Sequence, residues 1–156
     1  MLNNDKVRQG ALALSATALI TLAVNEGFSD HAYIPVKGDV PTIGFGETRG
    51  VKLGDRTTPI DALKTLEKGL EPYENAVKSC VKVPLTQNEF DAYVDFTYNA
   101  GTTAFCNSTI VKYLNQQRYE DACHELLKWN KFRGQVLPGL TKRREQEFKT
   151  CMGETT

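Results

Sequence analysis

The sequence predicts an α+β protein in which an apolar helix leads into a small β-hairpin lobe and then a larger helical lobe. Three observations carry that prediction. Residues 9–25 hold no charge and are rich in Ala, Leu and Thr. Residues 31–47 interleave Pro35, Gly38, Pro41, Gly44 and Gly46 with Val40, Thr42, Ile43 and Phe45. From Thr58 onward, apolar residues recur at helical spacing behind capping residues.

Each element follows from local chemistry. The run up to Asn25 reads as a first helix ending at Glu26-Gly27. The dense Gly and Pro of residues 31–47, with short β-branched stretches, read as a hairpin sheet, and Gly50, Gly54 and Pro59 continue the loop. Thr58 is an N-cap with Pro59 at the first helical position, and Ile60, Leu63, Leu66 and Leu70 follow on one face. Pro72 should bend or interrupt that helix. Thr86-Gln87-Asn88-Glu89 is a capping box opening a helix that carries Phe90, Tyr93, Val94 and Phe96, with Gly101 as its stop. Shorter helices are expected over Thr109–Asn115 and Tyr119–Trp129. Pro138-Gly139 marks a turn before a basic helix over Leu140–Cys151. A two-lobed α+β chain of this kind is expected to hold its ligand in a cleft between the lobes.

Composition narrows the function. The 156 residues are 40% hydrophobic and 24% charged, and 19 basic residues balance 19 acidic ones. That balance excludes a nucleic-acid binder relying on bulk positive charge. His31 and His124 lie far apart, neither in a zinc-like spacing with cysteine, so neither a metal nor another cofactor is expected. Cys80, Cys106, Cys123 and Cys151 contain no CxxC pair. They allow two disulfides in any of three connectivities, or four buried thiols.

The leading segment allows three readings. Lys6 and Arg8 precede an apolar stretch diluted by Ala, Ser and Thr, as in a secretion signal, with Ala16-Thr17-Ala18 as a cleavage motif. Alternatively the 17 uncharged residues of 9–25 form a weak membrane anchor, at the lower edge of the roughly 17–25 needed to span a bilayer. The third reading is a buried helix of the body. As an anchor, the segment would hold Glu26 at the membrane surface, and release would be an activating step. The expected organisation is therefore an export or anchor segment over 1–25, which can pack as a helix on the body, and a catalytic domain over 26–156.

Glu26-Gly27-Phe28, Ala32-Tyr33 and Thr42-Ile43-Gly44-Phe45-Gly46 stand in order after that segment. Asn99-Ala100-Gly101, Phe105, Ser108-Thr109, Leu114-Asn115, Trp129, Gly139-Leu140, Arg143-Arg144 and Glu147 follow. The ordered set, spanning roughly residues 20 to 152, resembles the phage lysozyme family, glycoside hydrolase family 24. With its leading segment it resembles the signal-anchor-release endolysins. The resemblance implies a lysozyme-like fold and hydrolysis of the β-1,4 bond between N-acetylmuramic acid and N-acetylglucosamine in peptidoglycan.

Glycoside hydrolysis needs one carboxylic acid to protonate the leaving oxygen and a second group to place a water or act as nucleophile. Burial of a carboxyl among apolar groups keeps it protonated near neutral pH. Glu26, at the foot of an apolar helix between Val24 and Phe28, is the expected acid. The family's second carboxylate lies nine residues after its Glu, where this chain has Pro35, and the interval from Glu26 to Thr42 is one residue longer than in the family. Asp39 is the nearest acid in the rearranged loop and is expected to take that role, with Asp30 a weaker candidate. Asp39 can equally be a turn residue. Thr42 is expected to help hold the attacking water, in the inverting-type arrangement that the resemblance implies. Arg144 aligns with a family arginine near the catalytic Glu; Asn99 and Ser108 are expected to support the helical side of the site, or to act as caps. Trp129 reads as core.

The expected partner is peptidoglycan, with transient inner-membrane association through residues 9–25 and a monomeric chain exported to the periplasm of the phage's host. There two disulfides are expected. No cysteine lies in residues 1–79, so disulfide exchange with the leading segment cannot be a switch. A non-catalytic wall-binding protein and a lytic transglycosylase are the alternatives.

Overall fold

The computed structural model describes residues 5–154, which fall into two compact units: Ala16–Glu71, and the residues through Ser15 together with Pro72 onward. Each is built separately below.

The Ala16–Glu71 unit opens with α1 (Ala16–Glu26). Gly27 ends it: its N–H donates to the Ala23 carbonyl at 3.1 Å, and its φ of +74° suits a residue without Cβ. The strands β1 (Ser29–Tyr33) and β2 (Thr42–Gly44) pair antiparallel, Ser29 opposite Gly44 and Tyr33 opposite Thr42, with an irregularity between. The hairpin sheet read from the Gly and Pro density is therefore present. A second feature of it is a tight turn: Ile43 and Glu47 exchange backbone hydrogen bonds, each 2.9 Å, around Gly44-Phe45-Gly46. Gly44 has φ +63°, and a Cβ there would meet the Ala62 Cβ at 2.9 Å, so the strand approaches α2 (Pro59–Cys80) as only glycine permits. Thr58 caps α2, its hydroxyl accepting the Asp61 N–H at 3.2 Å.

The helix α2 runs unbroken through Pro72, against the expected interruption. Proline removes one intrahelical N–H, yet the 22-residue helix continues through it. The boundary between the two compact units falls at this residue.

The second unit is built around α3 (Gln87–Ala100), which is buried along most of its length. Its capping box forms as predicted: the Thr86 hydroxyl accepts the Glu89 N–H at 3.0 Å, and Glu89 Oε1 accepts the Thr86 N–H at 2.8 Å. Tyr93, Phe90, Phe96, Phe105, Ile110, Leu114 and Leu126 form a fully buried core. Around it stand α4 (Thr102–Cys106), α5 (Thr109–Asn115), α6 (Tyr119–Leu126) and α7 (Pro138–Cys151). Leu126 rather than Trp129 ends α6. Pro138 is not a separate turn but the first residue of α7, where its missing N–H costs nothing. Between them, β3 (Lys131–Phe132) and β4 (Gln135–Val136) form a small hairpin that the sequence pattern did not announce. Its turn residues Arg133 and Gly134 have φ of +50° and +78°, the left-handed pair that two-residue hairpins require.

Disulfides join Cys80 to Cys106 and Cys123 to Cys151, which resolves the three possible connectivities. Residues 5–15 are not helical apart from one 3-10 turn at Gln9–Ala11. They run as a strap on this unit, with Val7 paired to Leu85 and Leu12 in the core.

Candidate active site

Glu26 is the last residue of α1 and is half-buried. What lies beside its carboxylate is the backbone of the β2 turn: a Cβ placed on Gly46 would sit 3.4 Å from Glu26 Oε2. The helix end and the hairpin turn thus meet at the carboxyl group. The apolar wall expected from the sequence neighbours is not there. Val24 is 74% exposed and Phe28 42% exposed, because residues two apart on a helix, or beyond its end, do not share a face. Phe28 instead stacks on Phe45, ring centres 5.3 Å apart, tying the chain after Glu26 to the same turn.

Thr42 begins β2 and is buried, its hydroxyl donating to the Val40 carbonyl at 3.3 Å. Asp39 lies in the loop before it and is exposed, its N–H closing a turn onto the Val36 carbonyl at 2.9 Å. Asp39 is thus a turn residue by backbone, with its side chain exposed to solvent. Asp30 is engaged elsewhere. Its Oδ1 pairs with His31 Nδ1 at 2.7 Å and its Oδ2 faces Arg56 at 3.5 Å, and the His31 hydrogen bond holds its carboxyl below the ordinary value.

In the second unit Arg144 is almost fully buried. One terminal nitrogen donates to both Glu147 oxygens at 2.8 and 2.9 Å, its Nε donates to the Trp129 carbonyl at 2.8 Å, and its other terminal nitrogen donates to Asn99 Oδ1. Its guanidinium also lies 4.7 Å from the Phe96 ring centre. Arg144 and Asn99 are thus brought together, as one fixed fork. The basic run of α7 is not a solvated face at this residue. Glu147 is the partner that the sequence reading missed. Burial raises its carboxyl well above the ordinary value, Asp95 adding to this and Arg144 and Arg143 opposing it. The available signal was the i, i+3 spacing of Arg144 and Glu147.

Ser108 has a different task. Its hydroxyl accepts the Val111 N–H at 3.3 Å and donates to the Phe105 carbonyl at 2.6 Å, so it is the N-cap of α5. Trp129 packs edge-on against Phe96 at 5.3 Å, as a core residue. Among the described residues no group of three or more His, Cys, Asp or Glu is placed to hold a metal ion.

The phage lysozyme family model matches residues 23–147, from the end of α1 to Glu147. The chain belongs to the phage lysozyme family. The match covers Glu26, the Thr42–Gly46 turn and Arg144 in one frame. A relative named SAR-endolysin, from the Pseudomonas phage phiKMV, is 39% identical over 153 residues, covering 96% of this chain and 92% of the relative. An endolysin of the Escherichia coli O157:H7 phage FAHEc1 is similar in structure with a TM-score of 0.84 and 34% identity, over 94% of this chain and 98% of that one. The muramidase domain of SpmX from Asticaccaulis excentricus gives a TM-score of 0.81 and 33% identity, over 90% and 97%. The lysozyme-like fold expected from the motifs is thereby established, and the chain is a glycoside hydrolase of the endolysin kind. In this lysozyme the end of α1 and the Gly-rich turn bring the Glu26 carboxylate against the backbone at Gly46.

Proposed function

We propose that Glu26 donates the proton to the glycosidic oxygen between N-acetylmuramic acid and N-acetylglucosamine, and that Asp39 and Thr42 hold the water that attacks the anomeric carbon. The observation that carries this reading is the seat of the Glu26 carboxylate against Gly46, in the turn that follows Thr42. The exposure of Asp39 suits a group that acts on a water. Arg144 and Asn99 act as a rigid supporting fork, while Ser108 serves through the cap of α5 alone. The substrate is peptidoglycan, the chain works as a monomer in the periplasm, and residues 9–25 tether it to the inner membrane before release. The charge-free run supports the tether, as does the name of the phiKMV relative.

Turbidity of chloroform-treated Gram-negative cells tests the assignment. Wild type clears the suspension, Glu26→Gln does not, and Asp39→Asn slows clearing at least tenfold. Equal clearing by Glu26→Gln overturns the glycosidic reading, and full activity of Asp39→Asn removes Asp39 from it. Mass spectrometry of the products shows reducing ends for hydrolysis; anhydro ends mean that no water is added.

A further inference from the structure

Charge is spread unevenly along this chain. Its 19 basic and 19 acidic residues balance, yet residues 126–144 hold six Lys or Arg and no Asp or Glu. Three of those six cations are paired: Lys128 with Glu125 at 2.6 Å, Arg143 with Asp95 at 2.9 Å and Arg144 with Glu147 at 2.8 Å. Lys131 and Arg133, on the β3–β4 hairpin, form no ion pair among the described residues.

Apolar groups share the hairpin. Every residue from 131 to 137 is exposed, including Phe132 at 57%, Val136 at 55% and Leu137 at 39%. Lys131 lies opposite Val136 and Phe132 opposite Gln135, so each face of the ribbon carries one apolar side chain beside a polar one. Phe132 and Val136 add nothing to a core, and a lone two-stranded hairpin is marginal in water. Apolar side chains clustered at an exposed position mark a surface that a partner covers.

The base of the hairpin is fixed. The Leu137 N–H donates to the Asn130 carbonyl at 2.9 Å, Asn130 Nδ2 donates to the Thr141 hydroxyl at 3.2 Å, and the Trp129 carbonyl accepts from Arg144 Nε at 2.8 Å. The hairpin therefore stands on the buried fork of Arg144. Its tip holds Arg133 at φ +50°, a left-handed conformation that Gly or Asn adopts more readily. The Arg133 guanidinium lies 5.3 Å from the Phe132 ring centre. Backbone strain of this kind gathers at ligand-holding positions. A guanidinium set against a ring is pre-oriented to take a carboxylate through two parallel N–H bonds.

We propose that β3–β4 is an arm that binds the acidic stem peptides of the cell wall. This deepens the peptidoglycan reading above and rests on it. Stem peptides of Gram-negative peptidoglycan carry free carboxylates on their glutamate and diaminopimelate residues, and methyl groups on their alanines. Lys131 and Arg133 take the carboxylates, while Phe132, Val136 and Leu137 cover the methyls. Among the described residues the sheet has only these two strands, so the outer edge of each is open to pairing with an extended peptide. A lipid surface makes no use of such an edge. The end that would enter a bilayer first is Arg133-Gly134, with the apolar residues behind it on both faces. The arm holds the polymer by its peptides; cleavage belongs to the Glu26 site.

Steady-state kinetics of the full chain on two soluble substrates test this. One is peptidoglycan fragments that keep their stem peptides; the other is glycan strands from which an amidase has removed them. Wild type is expected to show a KM about tenfold lower on the peptide-bearing fragments, the effect of two charge-assisted hydrogen bonds at an exposed site. That difference narrows as ionic strength rises. In Lys131→Gln/Arg133→Gly, whose glycine suits the left-handed tip, KM on the peptide-bearing fragments rises to the bare-glycan value with kcat unchanged. Bare glycan is cut as by wild type. In wild type, the free tripeptide of alanine, glutamate and diaminopimelate is expected to shift the amide resonances of residues 131–137. This titration needs no variant, so it decides the matter if the substitutions disturb the fold. An unchanged KM on peptide-bearing fragments, or amides that do not respond to the tripeptide, overturns the arm. So does a variant that loses binding to anionic phospholipid vesicles while keeping its KM, which makes the hairpin a lipid contact. If wild type cuts neither substrate, the peptidoglycan reading falls and the arm with it.

Discussion

The two disulfides should carry a large share of this lysozyme's stability. Cys123 and Cys151 close a loop with a sequence separation of 28 residues. In the chain-entropy treatment, cross-linking a loop of that length removes about 12 cal/mol/K from the unfolded ensemble, or about 3.6 kcal/mol at 25 °C. Cys80 and Cys106, separated by 26, give about 3.5 kcal/mol. The loops do not overlap, so the two contributions should be close to additive at about 7 kcal/mol. The total stability of a domain is only about 5–15 kcal/mol. The quadruple serine variant should therefore be marginal or unfolded at 37 °C, while each double variant stays folded. Urea unfolding of Cys123→Ser/Cys151→Ser should show the loss of about 3.6 kcal/mol together with a steeper dependence on urea, because an unlinked chain exposes more surface when it unfolds. Both Cys123 and Cys151 are buried, and Cys151 Sγ lies 3.2 Å from the Tyr93 hydroxyl, which can satisfy a serine there. A loss under about 1 kcal/mol with an unchanged slope would refute the reasoning, since the unfolded chain would then gain no freedom from losing the link.

Two further outcomes are expected. Gly46→Ala sets a Cβ at 3.4 Å from Glu26 Oε2, at a residue whose φ is +86°; clearing rate should drop at least tenfold and the melting temperature should fall with the roughly 1–2 kcal/mol cost of a left-handed residue. An alanine enzyme with wild-type rate would show that the carboxylate does not depend on that backbone surface. Glu147, whose native carboxyl is raised above its ordinary 4.5, keeps its proton in the folded state at pH values where the unfolded chain releases it. Its contribution is then present in full below the unfolded value and is lost as pH rises through the folded one. Relative to Glu147→Gln, wild type should accordingly gain stability as pH falls from neutral towards 4.5; a difference independent of pH, by thermal or urea unfolding, would contradict the assignment.

The elements that were legible in advance are those whose causes are local. Thr58 and Thr86 announce their helices because a cap is a contact within four residues. The β1–β2 hairpin shows in its glycines, since a positive φ at Gly44 and Gly46 excludes other side chains. Contacts between distant positions left no such trace. The β3–β4 hairpin rests on Arg133 adopting a left-handed φ without an Asn or Asp to advertise it. Nothing in the run Ala11–Ser15 says that Ser15 meets Asp91, or that the leading residues lie as a strap rather than as the start of a helix.

The sequence by itself determined the family, a first helix ending at Glu26, the glycine-rich turn after Thr42 and the even set of cysteines, because ordered motifs and short-range capping are written in neighbouring residues. Only the tertiary structure decided that Cys80 joins Cys106 and Cys123 joins Cys151. It also decided that Arg144 is spoken for by Glu147, Asn99 and Trp129, that Ser108 is a cap, and that Glu26 lies on Gly46 rather than behind Val24 and Phe28. Pairing and burial are properties of which surfaces meet in space, and a linear order of residues fixes them only through the fold it produces.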